Sequence, residues 1–229
     1  MRLIYVRHGE PDYANDCLTE TGRQQAIAVS KRLQKEGISE IYTSPMGRAS
    51  QTASYTSELL DIPIQTMDYM HEITWGGPDI PAGGHPWTLS DRMIDEDDFD
   101  YYDIGWRDHP YFAHNAATDC YDEISARIDI FLEEHGYRHE GTRFMCETGE
   151  DKTIAIFGHG GSGACTLAHI LALPFPYVLT VMPYEFTAVI ILEFPVRMGE
   201  YVHPRIELFN DAAHIRGISR GLVIQKDVD

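Results

Sequence analysis

The sequence is poor in positive charge: 18 Lys and Arg stand against 36 Asp and Glu in 229 residues, a formal net charge of −18. A field of that sign repels polyanions and argues against nucleic acid or an anionic membrane surface as partner. Lysine is nearly missing, with 4 residues against 14 arginines. The scarce cations are therefore mostly the forked kind that grips phosphate or carboxylate oxygens in pairs. Cysteine is scarce too. Cys17, Cys120, Cys146 and Cys165 form no CxxC pair and no compact framework, so the expectation is a reduced, cytoplasmic protein. No apolar run approaches the ~20 residues of a membrane span. The opening Met1–Val6 stretch is too short for the apolar core of a secretion signal. Internal repeats and low-complexity linkers are also missing, which leaves one domain over residues 1–229.

What is present is an alternation of short strands and helices. Leu3–Val6 is an apolar strand ending in Arg7-His8-Gly9-Glu10. Ala26, Ile27, Val29 and Leu33 fall on one face of a helix over 23–35, with Thr21 and Gln24 spaced as a capping box and Gly37 at its end. Ile41–Thr43 reads as a second strand, Ser44-Pro45 as the cap and first-turn proline of a helix over 46–60, and Ile62–Ile64 as the start of a third strand. Helices over 120–135 and 162–173 and strands over 153–157, 186–194 and 206–209 follow. This pattern predicts an α/β fold of three layers, α/β/α, around a mostly parallel sheet. Its rhythm breaks between about 77 and 118, where prolines, glycines, Trp87, Trp106 and the acidic run Asp95–Asp103 gather. So many aromatics exclude a disordered linker. We read the stretch as a folded insertion capping the C-terminal strand edge, with Trp75, Trp87, Tyr101, Tyr102 and Trp106 serving mainly as its core. The acidic run lacks the spacing of a calcium loop and reads as a solvated face.

Two segments share one design, an apolar strand running into His-Gly: Val6-Arg7-His8-Gly9 and Phe157-Gly158-His159-Gly160-Gly161. Ligands of open parallel sheets bind beyond the carboxyl ends of the strands, so both histidines belong on the functional edge. Thr43-Ser44-Pro45-Met46-Gly47-Arg48 also follows a strand and puts Arg48 in a helix's first turn, an end that favours anions. Arg7, Arg48, His8, His159 and that helix end form an anion cage suited to phosphate. Ser162 does not sit in a nucleophile elbow, because Ala164 stands where the second glycine is required. Asn15 and Asp16 read as turn residues, and His214 as a surface side chain.

The ordered set Arg7-His8-Gly9-Glu10, Leu18-Thr19-Glu20-Thr21-Gly22-Arg23, Thr43-Ser44-Pro45-Met46-Gly47-Arg48 and Phe157-Gly158-His159-Gly160-Gly161, with Glu72 before Trp75-Gly76, resembles the histidine phosphatase superfamily. The superfamily contains phosphoglycerate mutases and many small-molecule phosphatases. The resemblance implies a phosphoglycerate mutase-like fold and a phosphomonoesterase acting through phosphohistidine. His8 would be the nucleophile, and Arg7 and Arg48, with His159 as a further donor, the groups on the transferring oxygens. Glu72 would be the general acid and base, with Glu10 of the first motif and the neighbouring His71 and Asp79 as the other candidates. It implies no metal and no cofactor, and a small phosphorylated metabolite as partner. Pro11-Asp12-Tyr13-Ala14 departs from the mutase pattern, which disfavours phosphoglycerate mutase chemistry. A non-catalytic phosphoryl-binding module is disfavoured by the intact set of five. The acidic excess beside the cage predicts preference for small, modestly charged esters over polyphosphates. No heptad stands out, so the pattern assigns no oligomeric state.

Overall fold

The computed structural model describes residues 1–77, 95–96, 98–100 and 102–218. Its centre is a six-stranded sheet in the order β11-β9-β1-β8-β4-β5, built from β1 (Arg2–Arg7), β4 (Ile38–Thr43), β5 (Ile64–Thr66), β8 (Thr153–Gly158), β9 (Val189–Glu193) and β11 (Arg205–Asp211). The four strands β1, β8, β4 and β5 run parallel; β9 is antiparallel to both β1 and β11. β8 is buried at all six positions, as a central parallel strand covered on both faces must be.

Alternation along the strands sorts the core into two layers. Leu3, Tyr5, Ile154 and Ile156 face α3 (Ala116–Glu134), α4 (Gly160–Leu171) and α5 (Phe175–Val181). Ile4, Val6, Ala155 and Phe157 face the other way, with Val29 and Leu33 of α1 (Glu20–Leu33) and Ala53 of α2 (Gly47–Leu60). The period of two in the strands thus yields the three-layer α/β/α architecture expected from the sequence. Two smaller sheets lie outside it: β2 (Pro11–Asp12) with β3 (Cys17–Leu18), and β6 (Tyr137–Glu140), β7 (Arg143–Cys146) and β10 (Tyr201–Val202).

Two helix starts differ from the sequence reading. α1 begins at Glu20 and its cap is Thr19, whose Oγ1 accepts from Gly22 N at 3.0 Å. The Glu10 carboxylate accepts from that hydroxyl at 2.7 Å and orients it, so Thr21 lies inside the helix and the Thr21–Gln24 box is not used. α2 begins at Gly47 with Met46 at the cap position and no side chain of its own capping it. Ser44 is drawn instead toward the sheet edge, as described below.

Of the expected insertion, residues 78–94, 97 and 101, including Trp87, Tyr101 and Asp79, lie outside the described residues. Within the described part, Phe99, Trp106, Tyr111 and Phe112 are buried in the main core. The Trp75 and Trp106 rings each stand 5.3 Å edge-on from Phe112; they pack on the main core rather than in a core of the insertion's own, and Tyr102 is exposed. Asp95, Glu96, Asp98, Asp100 and Asp103 are exposed.

A hydrogen-bonded group ties three elements together at the end of α4 remote from its N-terminus. Asp129 Oδ1 accepts from His139 Nδ1 at 2.9 Å and from His169 Nε2 at 2.6 Å. Burial alone would raise the Asp129 pKa, but these two bonds hold it down to about 2. The same bond raises His139, against its burial. The carboxylate's contribution is therefore lost as pH falls below 3.8 toward 2, and the His139 contribution is full below 6.5 and lost as pH rises through the raised value. Asp129→Asn is expected to lower Tm by about 2–4 °C near pH 5.5 and by less above pH 9. Equal losses at both values would contradict the linkage.

Candidate active site

β1, β8 and β4 are neighbours in the sheet, with Arg7 paired to Gly158 and Thr43 to Phe157. Their carboxyl ends therefore emerge side by side at the ~4.8 Å strand spacing. The residues that follow, His8, His159 and Ser44, are buried at that edge. Arg48 arrives from the first turn of α2 and Glu72 from the segment after β5. The sequence placed Arg7, His8, Arg48, Glu72 and His159 in one site, and the fold brings all five together.

His8 is 1% exposed, and its Nδ1 lies 2.7 Å from the Gly9 carbonyl oxygen. A carbonyl only accepts, so Nδ1 carries the proton and Nε2 keeps its lone pair. Burial, then the charges of Arg7 and Arg48, lower the His8 pKa well below the usual histidine value. The ring is thus neutral, in one tautomer, with a nucleophilic nitrogen presented to the cage. The Phe186 ring lies 5.6 Å from the His8 ring, tilted by 37°, and carries the Arg7 guanidinium 4.4 Å above its own face.

The donors around that nitrogen are largely unspent. Arg7 Nη1 donates to the Tyr184 carbonyl at 2.7 Å, yet its Nε is buried with no partner. Arg48 is 4% exposed and its Nε stands 3.4 Å from His8 Nε2. His159 Nε2 lies 2.7 Å from Ser44 Oγ, and that oxygen already accepts from Met46 N at 3.2 Å. His159 Nε2 is thus engaged by Ser44, and its Nδ1 is buried with no hydrogen-bond partner. Burial, then His8, Arg48 and Arg7, lower the His159 pKa far below its ordinary value. His159 is consequently a neutral donor rather than the imidazolium that would bind an anion most strongly. Unpartnered buried N–H groups are rare and costly. The buried and unpartnered Arg7 Nε and His159 Nδ1, beside a His8 Nε2 met only at 3.4 Å by Arg48 Nε, leave polar capacity at this edge for a ligand.

Glu72 completes the arrangement. Its Oε1 accepts from Ile73 N at 3.0 Å and, at the N-terminus of α4, from Gly161 N at 2.9 Å and Ser162 N at 3.2 Å. These bonds favour the anion, but burial outweighs them and raises the Glu72 pKa. With Oε1 fully engaged, Oε2 is the oxygen left to carry and pass a proton. Gly161 is required here, because a Cβ would lie 2.6 Å from Glu72 Oε1 and 2.3 Å from Ile73 Cγ1. One ligand atom each of His8, Glu72 and His159 fall within 4.8 Å of one another. Three such donors can coordinate a metal, but two guanidinium groups beside them make the locus one that attracts anions.

Several neighbours were not singled out in the sequence. Tyr5 OH accepts from His159 N at 2.9 Å, and Tyr184 OH donates toward Gly160 O at 2.8 Å, fixing the loop before α4. Ser44 Oγ makes the local bond to Met46 N expected of a cap and, in addition, bonds His159, 115 residues away. Asp16 was read as a turn residue; its carboxylate reaches Arg48 Nη1 and Gly47 N, each at 2.6 Å. Glu10 is spent on Thr19. His214 is half-buried on Thr187 Oγ1 at 3.1 Å, away from the described cage contacts.

The fold and this constellation define an α/β enzyme with a histidine-centred anion site. The family model of the histidine phosphatase superfamily (branch 1) matches residues 3–206, and the chain belongs to that superfamily. It is 31% identical over 187 residues, 76% of each chain, to a protein from Photorhabdus laumondii named a probable phosphoglycerate mutase GpmB. It is 24% identical over 170 residues, 70% of this chain and 74% of the other, to a putative phosphoserine phosphatase 2 of Hydrogenobacter thermophilus. Among solved structures, a phosphoserine phosphatase of Entamoeba histolytica in complex with phosphoserine superposes with a TM-score of 0.63 at 21% identity. The superposition covers 93% of this chain and 98% of that one. Among the described residues, no helix is long and apolar enough to cross a membrane.

Proposed function

We propose that the protein hydrolyses a small phosphomonoester in two steps through a phosphohistidine on His8. The observation that carries this reading is the neutral His8 Nε2, met only by a long 3.4 Å bond from Arg48 Nε and set beside the unpartnered Arg7 Nε and His159 Nδ1. In the first step Nε2 attacks phosphorus, the P–O bond to the alcohol breaks, and the leaving oxygen takes the proton from Glu72. In the second step water attacks the phosphohistidine, Glu72 takes back a proton, and the P–N bond breaks to release phosphate and neutral His8. Arg7, Arg48 and His159 hold the three non-bridging oxygens throughout, where preorganised donors act most strongly on developing charge. Two arginines supply the charge neutralisation that a metal supplies in other phosphatases. The exposed acidic residues of the 95–103 run favour small esters over polyphosphates.

The likeness to a protein named a mutase makes 3-phosphoglycerate the discriminating substrate. Incubated with it in EDTA, the protein is expected to release inorganic phosphate and glycerate, with no 2-phosphoglycerate formed. Net interconversion of the two phosphoglycerates without phosphate release would replace hydrolysis by mutase chemistry, and turnover abolished by EDTA would contradict the metal-free mechanism.

A further inference from the structure

Asp16 lies on the loop between β2 and β3 and belongs to none of the motifs that mark the site. Its backbone has a φ of 46°, a left-handed conformation that Asp tolerates better than most residues. Its two carboxylate oxygens are divided: Oδ1 takes Arg48 Nη1 and Oδ2 takes Gly47 N, each at 2.6 Å. Gly47 is the first residue of α2, which has no side-chain cap of its own, so Asp16 supplies that missing cap from 31 residues away. The approach is close enough that a Cβ on Gly47 would lie 2.2 Å from the Asp16 carbonyl oxygen.

A guanidinium chelates two oxygens of one anion through an edge of paired N–H groups. In Arg48, Nη1 is taken by Asp16, while Nε faces His8 Nε2 at 3.4 Å and Nη2 rests on Met46 Sδ at 3.5 Å, a weak acceptor. The strong bond is thus on the nitrogen away from His8, and the Nε–Nη2 edge stays available. A long Arg side chain otherwise has many rotamers to choose from. We propose that Asp16 is a positioning residue: by joining the first turn of α2 to Nη1, it aims the Nε–Nη2 edge of Arg48 at the phosphoryl group on its way to His8. This rests on the phosphoryl-transfer reading given above. The opposite role, a carboxylate that occupies Arg48 and competes with the substrate phosphate, predicts the reverse kinetics.

The test compares wild type with Asp16→Ala, Asp16→Asn and Gly47→Ala. Kinetics use p-nitrophenyl phosphate, and orthovanadate is the probe of transition-state geometry. For Asp16→Ala, kcat should fall roughly 10- to 100-fold, the range a displaced catalytic group produces. KM should change less than about 3-fold, and vanadate affinity should fall in step with kcat/KM. Asp16→Asn, which keeps one accepting oxygen, should recover part of the loss. Gly47→Ala, which pushes the Asp16 segment away, should reproduce the kcat loss. A lower KM with tighter inhibition by inorganic phosphate would overturn the proposal in favour of competition. Unchanged kcat and vanadate affinity, or a loss accounted for entirely by a lower folded fraction in thermal melts, would also overturn it. Should wild type turn over no phosphomonoester, the function fails, while calorimetry with vanadate still reads Arg48: weaker binding by Asp16→Ala sustains the positioning role, and equal binding ends it.

Discussion

Replacing His8 by Ala is expected to cut kcat/KM for any phosphomonoester by at least about 10⁴-fold, the scale on which enzymes lose a covalent nucleophile. The reason is local. Gly9 O fixes the proton on Nδ1, burial keeps the ring neutral, and no other imidazole in the cage offers a free lone pair in that place. His159 is not placed to substitute, because its Nε2 is held by Ser44 Oγ at 2.7 Å. The loss should reside in kcat with fold unaffected, since the His8 side chain makes only one hydrogen bond below 3.4 Å among the described residues and its backbone bonds survive the substitution. Steady-state kinetics and thermal melts of the variant check both halves. Retention of more than about 1% of activity would mean that another group attacks phosphorus.

Glu72→Gln is expected to separate substrates by their leaving groups. An alkyl phosphate needs a proton on its departing oxygen, and the variant should lose about 10²- to 10⁴-fold in kcat/KM. An activated aryl ester such as p-nitrophenyl phosphate leaves without that proton and should lose far less in the first step. The pH dependence carries the same signature. Burial raises the Glu72 pKa, so the acid form persists above the ordinary range, and kcat/KM for alkyl esters falls as pH rises through that raised value. In Glu72→Gln this alkaline limb should vanish. Parallel losses for alkyl and aryl esters would show that Glu72 only orders the N-terminus of α4.

How much of this was legible in the sequence depends on whether a residue's role is local. His8 and His159 directly follow β1 and β8, Arg7 closes β1 and Arg48 stands in the first turn of the helix after β4, and parallel strands deliver their ends to one edge. Glu72 was legible only through the order of the motifs, because its segment has no periodicity; the fold explains its position through Gly161 and Ser162 of α4. Ser44 and Asp16 were legible only in part, for the same physical reason. Asp16 does lie in a turn and Ser44 Oγ does accept from Met46 N, but each has a further partner far along the chain. The hairpin β6–β7 also escaped notice. Its inward residues Tyr137, Phe144 and Cys146 are few, and the charges of Arg138 and Arg143 between them hide the alternation. Of the aromatics named for the insertion, Trp106 is buried in the main core and Tyr102 is exposed, while Trp87 and Tyr101 lie outside the described residues.

The central claim is a covalent bond between phosphorus and His8 Nε2, and Glu72→Gln offers the means to catch it. With p-nitrophenyl phosphate the variant still forms the bond, because the leaving group needs no acid, but it lacks the base that activates water for the second step. Rapid mixing should release one equivalent of p-nitrophenol per site in a burst followed by slow turnover. Peptide mapping of the quenched protein should place an acid-labile, alkali-stable phosphate on His8. A linear time course with no phosphate on any histidine would contradict the account.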